Sequence, residues 1–137
     1  MGVKKMKVNV LGTEYEIIES SKSEYPKLED LNGYCELHSK KIIVDDLVEK
    51  SADRLACENL DIFKKKVIRH ELLHAFLYES GICISDVTPI NEEELVEWIA
   101  VQFPKILNVF KSISIDTDDP ANKIVESGAN MRDDNND

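Results

Sequence analysis

The chain has 137 residues, which is enough for one compact domain with a modest core. Its net charge at pH 7 is −10, so it lacks the basic surface that phosphate backbones require. It contains no run of about 20 apolar residues that could cross a membrane, and its first ten residues lack the apolar core of a secretory signal. We therefore expect a cytoplasmic protein whose partners include neither nucleic acid nor membrane.

The N-terminal part of the chain predicts β-strands. Residues 7–18 alternate apolar and polar side chains around Gly12, which is typical of a hairpin. A polar stretch then leads to a second predicted hairpin over 33–46, with strands near 34–38 and 41–45. Together these segments predict a small antiparallel sheet of three or four strands.

A helix is predicted from about Asp61 to Ser80. Either Asn59 or Asp61 can cap its start, and Gly81 fits the position that follows its last turn. Apolar residues occupy two faces of this segment, which predicts a helix buried between the sheet and a second helix.

The second helix is predicted from about Asn91 to Lys111. Pro104 lies inside it and is expected to kink or split it. The residues expected on its core face are Leu95, Ile99, Phe103, Ile106 and Phe110.

The last segment, 116–137, is acidic and rich in Asn and Asp, with too few apolar residues to pack. We predict a disordered tail there. The folded domain is then 1–115, with an α+β architecture in which the sheet packs on a buried helix and the following helix.

The three cysteines, Cys35, Cys57 and Cys83, are widely spaced and include no CxxC pair. This spacing excludes a zinc knuckle or a thioredoxin-type motif. Three reduced, mostly buried thiols are therefore expected.

The stretch VIRHELLHAF, residues 67–76, places His70 and His74 four residues apart. Residues at this spacing project from the same side of a helix, so the two imidazoles can bind one divalent ion. Glu71 flanks that ion, where its carboxylate can take a proton from a metal-bound water and pass it to a leaving amine. A catalytic zinc site needs three protein ligands, so the motif requires one more.

The residues around the motif support a metal site. Two histidines on an ordinary core helix would leave Glu71 buried beside them without gain, at a cost of several kcal/mol unless it is paired. Six positions around the motif are uncharged, as a helix inside the molecule requires, namely Val67, Ile68, Leu72, Leu73, Ala75 and Phe76.

VIRHELLHAF followed by NEEELVEWIAVQF resembles the zinc metallopeptidases of the gluzincin type. The most similar are small phage and prophage metallopeptidase-like proteins of Gram-positive bacteria, loosely similar to the ImmA/IrrE group. The resemblance covers about residues 5–112. It implies a zincin-like fold, a bound Zn²⁺, Glu71 as the catalytic base, a peptide or protein substrate, and a glutamate of the following helix as the third zinc ligand.

Four glutamates near the start of the second helix are candidates for that ligand. Gluzincin-like helices often read Glu, two apolar residues, then a polar or small one, and Glu94-Leu95-Val96-Glu97 fits this pattern best. The resemblance therefore favours Glu94. In the competing register Glu93 binds the metal and Glu97 supports His74 from behind. Glu92 suits a position at the start of the helix better than a metal ligand. Alternatively, none of the four glutamates binds metal, and together they form a solvated acidic first turn that the helix dipole favours.

The residue that stabilises the oxyanion has three candidates, namely Tyr34, His38 and Tyr78, each able to polarise a substrate carbonyl. In this enzyme class an edge strand often pairs with the substrate peptide. Either IIVDD, residues 42–46, or YCELH, residues 34–38, could provide it.

The sequence thus predicts a small zinc-dependent metallopeptidase, in which His70, His74 and Glu94 bind zinc and Glu71 activates the metal-bound water. A non-catalytic, metal-stabilised phage regulatory or interaction module is the alternative. The retained Glu71 argues against it, because a structural site needs no base. An acidic mimic acting through its tail is a third hypothesis, which the short tail with few aromatic residues disfavours.

Overall fold

The computed structural model describes residues 3–48, 59–82 and 92–125, without the side chains at positions 92, 93 and 96. Four strands and two long helices confirm the α+β prediction. In chain order the elements are β1 (Lys4–Val10), β2 (Thr13–Ser20), a 3₁₀ helix (Pro26–Glu29), β3 (Gly33–Glu36), β4 (Lys41–Asp45), α1 (Leu60–Glu79) and α2 (Glu92–Ser112). Within the described residues, neither helix has both the length and the apolar character that a membrane-crossing helix needs.

The four strands form one mixed sheet in the order β1-β2-β4-β3. Both predicted hairpins are present as antiparallel pairs, but β2 and β4 pair in parallel, so the prediction of an antiparallel sheet was wrong for this pair. The segment between β2 and β3 carries the chain past the position of β4 to the edge of the sheet. Apolar alternation along a strand is the same in either direction, so the sequence pattern did not reveal this pairing.

Both faces of the sheet are buried at its centre. On one face Ile18 and Ile43 pack against Leu28 of the 3₁₀ helix. The opposite face packs against α1, in a larger cluster that includes Ile17, Ile42 and Val44 from the sheet and Ile68, Leu72 and Phe76 from α1. Burial on both faces explains why β4 is an unbroken apolar run rather than an alternating one.

The ends of α1 follow the sequence prediction. The side chain of Asn59 accepts a hydrogen bond from the backbone N–H of Ile62, which makes Asn59 the N-cap. Gly81 follows the helix with a φ of +90°, and its N–H donates to the carbonyl of Tyr78. This left-handed conformation favours glycine and ends the helix.

The expectation that α1 is buried on two faces was wrong. Its sheet-facing side is buried, but His70, Leu73 and His74 are exposed. Within the described residues, α2 does not cover this side. Trp98 of α2 lies near the C-terminal end of α1, where its indole N–H donates to the hydroxyl of Ser80 over 2.8 Å.

The prediction of the core face of α2 was wrong in its first half. Leu95, Ile99 and Phe103 are exposed, whereas Ile106 is buried as expected and Phe110 is half-buried. The row that faces the core instead includes Trp98, Gln102 and Ile106. The two rows are adjacent on the helix surface, and the helix packs on the row that carries its largest side chain. Pro104 does not split the helix, which continues to Ser112.

The segment 116–125 is attached to α1, unlike the disordered tail that the sequence predicts from residue 116. Lys65 is only 2% exposed, and its ammonium donates to the carbonyls of Thr117 and Asp119. Arg69 donates to the carbonyl of Ile115 and to the carboxylate of Asp118. Three of the four acceptors are backbone carbonyls, which every sequence has, so composition gave no sign of these bonds. The rest of the predicted tail, 126–137, lies outside the described residues.

Candidate metal centre and its cleft

The exposed side of α1 presents His70 and His74 as neighbours. Their ring centroids are 5.0 Å apart and the ring planes meet at 69°. Tetrahedral zinc with nitrogen ligands at about 2.0–2.1 Å separates two imidazole centroids by roughly 5 Å. The observed separation of the two rings matches this value.

Glu71 lies beside the histidines but is buried, with 8% of its surface exposed. Burial raises the pKa of its carboxyl, an effect that His70 and His74 partly oppose because their positive charge favours the carboxylate. A carboxyl with a raised pKa accepts and returns a proton more readily at neutral pH than an ordinary surface glutamate. The position and the environment of Glu71 therefore suit a general base.

Gly33 allows α1 to approach the edge of the sheet at this point. A Cβ atom on Gly33 would lie 2.8 Å from Cγ1 of Val67 and 3.1 Å from the carbonyl oxygen of Ile43. The same atom would lie 3.5 Å from Cγ of Glu71. The absence of a side chain at Gly33 therefore brings Glu71 against the first residue of β3.

A cleft runs between β3 and the exposed side of α1, and it has two basins that share Gly33 and Glu71. The His74 basin has a volume of about 550 Å³. The His70 basin has a volume of about 260 Å³. Because β3 is the edge strand of the described sheet, the cleft combines an unpaired strand edge with both imidazoles and the buried carboxyl.

This topology distinguishes the two segments expected to pair with a substrate. IIVDD forms most of β4, which lies between β2 and β3 and is paired on both sides, so it offers no free edge. YCELH contains β3. Of these two segments, therefore, only YCELH can pair with an added strand.

The three oxyanion candidates lie in different places. Tyr78 is exposed and lines the His74 basin, with the Lys40 ammonium 4.8 Å from its ring centroid. Tyr34 also borders this basin, but its side chain packs against the cluster on the opposite face of the sheet. His38 is exposed in the turn between β3 and β4 rather than on the predicted strand. Tyr78 is the candidate best placed to contact a ligand beside His74.

The structure brings two of the predicted metal ligands together. Glu94 and Glu97 are exposed on the first turns of α2. No third metal-binding side chain joins the two histidines within the described residues, which do not include the side chains at 92 and 93. Glu94 as the third ligand remains a prediction.

Glu79, at the C-terminal end of α1, belongs to a cluster that the sequence reading missed. It accepts hydrogen bonds from the Lys40 ammonium at 2.9 Å, the Tyr15 hydroxyl at 2.7 Å and the Thr13 hydroxyl at 3.0 Å. The bond from Lys40, more than the others, holds the pKa of Glu79 below its usual range. These bonds fix the end of α1 to β2 and to the turn before β4. An acid at a helix C-terminus, where the dipole disfavours it, was the available sign of a specific partner.

No family model, curated protein or solved structure matches the chain.

Proposed function

We propose that the chain is a zinc-dependent peptidase, in which His70 and His74 bind the metal and a glutamate at the start of α2, Glu94 first, completes the site. The observation that supports it most is the pairing of two exposed imidazoles, 5.0 Å apart, with a buried carboxyl between two basins of one cleft. A zincin-like fold and a likeness to the phage and prophage metallopeptidases are part of this proposal.

The residues of the cleft would divide the work of hydrolysis. When bound, zinc would supply Lewis-acid polarisation of the substrate carbonyl and make water a better nucleophile at neutral pH. The Glu71 carboxylate would accept the proton of the attacking water and return it to the leaving amine. The hydroxyl of Tyr78 would donate to the developing oxyanion, and the free edge of β3 would hold the substrate backbone extended.

The test compares zinc content and hydrolysis in matched variants. Elemental analysis should give one zinc per chain for the wild type and for Glu71→Gln, and much less for His70→Ala and His74→Ala. A mixed peptide library followed by mass spectrometry should show cleavage by the wild type and none by Glu71→Gln. Glu14→Gln changes an exposed acid on β2 that lines neither basin of the cleft, so it is the control and should leave both readouts unchanged.

The outcomes separate the hypotheses. Protein that holds no zinc and is unchanged by a chelator contradicts the proposal. Stoichiometric zinc without any cleavage that depends on Glu71 would instead support a metal-stabilised regulatory or interaction module. Glu94→Gln should lower zinc affinity more than Glu93→Gln or Glu97→Gln, and the reverse order would assign the third ligand to one of those two residues.

A further inference from the structure

The two basins of the cleft differ in chemical character. The walls of the His74 basin are largely aliphatic and aromatic, with Leu37, Leu77, Tyr78 and Ile82 among them. The His70 basin is smaller and contains Lys66 together with Phe63, Val67 and Asn32. One basin thus suits an apolar side chain, and the other has a lysine, Lys66, in its wall.

Lys66 stands out because its two neighbours in the run Lys64-Lys65-Lys66 have other partners. Lys64 pairs with the buried carboxylate of Glu19, and Lys65 is buried on the carbonyls of Thr117 and Asp119. Lys66 is exposed and one turn before His70, so it lies on the cleft side of α1. In a chain of net charge −10, this cation gives the His70 basin a local preference for anionic groups.

The geometry of a strand on the edge of β3 fixes which substrate residues reach the basins. Side chains of an extended peptide alternate between faces, so those that point toward α1 are two residues apart, about 6.6 Å along the strand. The basins adjoin at Gly33 and Glu71. A peptide bond beside Glu71 would therefore be flanked by one side chain in each basin.

The direction of the peptide follows from the direction of β3. That strand begins at Gly33, which borders both basins, and continues through Cys35 toward Leu37, which borders the His74 basin alone. A peptide paired antiparallel to it, the more stable arrangement, runs from the His74 basin to the His70 basin. Its apolar residue then precedes its acidic residue.

We propose that the cleft selects extended peptides with a bulky apolar residue followed two positions later by Asp or Glu, with the acidic side chain held by Lys66. This inference rests on the proposed peptidase function and names its substrate class. Lys66 is a specificity-determining residue in this account and takes no part in the chemical step.

Binding to the inactive Glu71→Gln protein tests the inference without relying on turnover. Fluorescence anisotropy, with zinc and with a chelator, compares labelled peptides centred on Leu-Gly-Asp, Leu-Gly-Lys, Ser-Gly-Asp and the reversed Asp-Gly-Leu. The first should bind most tightly. Adding Lys66→Glu should weaken its binding about three- to tenfold and strengthen that of the Leu-Gly-Lys peptide. Leu37→Ser should remove the advantage of Leu over Ser.

Lys7→Glu is the matched control, since it makes the same charge change on β1 at the opposite edge of the sheet. Equal effects of Lys7→Glu and Lys66→Glu would overturn the assignment of Lys66, and tighter binding of the reversed peptide would overturn the orientation. If the wild type cleaves library peptides through Glu71 without an apolar–x–acidic preference, the inference alone fails. Absence of both zinc and cleavage would instead contradict the proposed function.

Discussion

Gly33→Ala should destabilise the protein because the new methyl group has no room between β3 and α1. An ideal Cβ would be 2.8 Å from Cγ1 of Val67, a separation that real Cβ atoms essentially never show, and 3.1 Å from the backbone oxygen of Ile43. The Val67 side chain can rotate only a little because it is β-branched and on a helix. The neighbouring strand cannot move without disturbing the β3–β4 pairing.

The size of the effect follows from two opposing contributions. Overpacking of this kind costs about 1–3 kcal/mol. Replacing glycine by alanine also restricts the unfolded chain, which offsets about 0.4–1 kcal/mol of that cost. We therefore expect Gly33→Ala to lower the free energy of unfolding by about 1–2 kcal/mol.

Urea unfolding of the wild type, the two single variants and the double variant measures the clash directly. Val67→Ala removes the closest atom, so the double variant Gly33→Ala/Val67→Ala should be more stable than the sum of the single changes implies. The expected coupling is about 0.5–1.5 kcal/mol. If the two changes are additive within error, or if Gly33→Ala alone is neutral, the close approach of α1 to β3 is not what the structure indicates.

Three further predictions concern Lys65, Glu79 and Cys35. Lys65→Met should lower the free energy of unfolding by about 1–3 kcal/mol, because two backbone carbonyls lose their hydrogen-bond donor. Lys66→Met, the control, should change this free energy little. Equal effects of the two variants in urea unfolding would contradict the prediction. Glu79→Gln should destabilise by about 1–2 kcal/mol at pH 7. The pKa of Glu79 is lowered in the folded protein, so its contribution to stability is complete above the usual value of 4.5 and is lost as the pH falls through the folded pKa. The difference in unfolding free energy between Glu79→Gln and the wild type should therefore narrow below pH 4.5. A difference that stays constant with pH would refute this prediction. Burial and, secondarily, the charge of Glu71 raise the pKa of Cys35 from 9.0 to about 12. A smaller fraction of the thiol is then ionised at pH 8, although each thiolate is more nucleophilic. Alkylation of Cys35 in metal-free protein, with the other cysteines changed to serine, should therefore be at least about 30-fold slower than in urea, and a difference under tenfold would contradict the burial.

Local sequence signals predicted the local structure well. The alternation around Gly12 and over 33–46 gave both hairpins, and Asn59 and Gly81 gave the ends of α1. In each case a short-range requirement, such as a capping oxygen or a positive φ, selects the residue. The spacing of His70 and His74 on one helix belongs to the same class of signal.

The errors came from arrangements that depend on distant parts of the chain. Strand direction, and the choice between two adjacent apolar rows on α2, are decided by which surfaces meet rather than by periodicity. The close approach at Gly33 depends on the size of Val67, thirty-four positions later. The division of the three lysines at 64–66 between Glu19, the 116–125 segment and the cleft could likewise be seen only after folding.

The central claim is that α1 holds a zinc ion between His70 and His74. Crystals of the zinc-loaded protein, measured on both sides of the zinc absorption edge, test it most directly. The proposal predicts one strong anomalous peak within about 2.0–2.2 Å of a nitrogen of each imidazole, with a carboxylate of α2 completing the set. An anomalous map with no peak at these two histidines, or with its peak elsewhere on the chain, would contradict the claim.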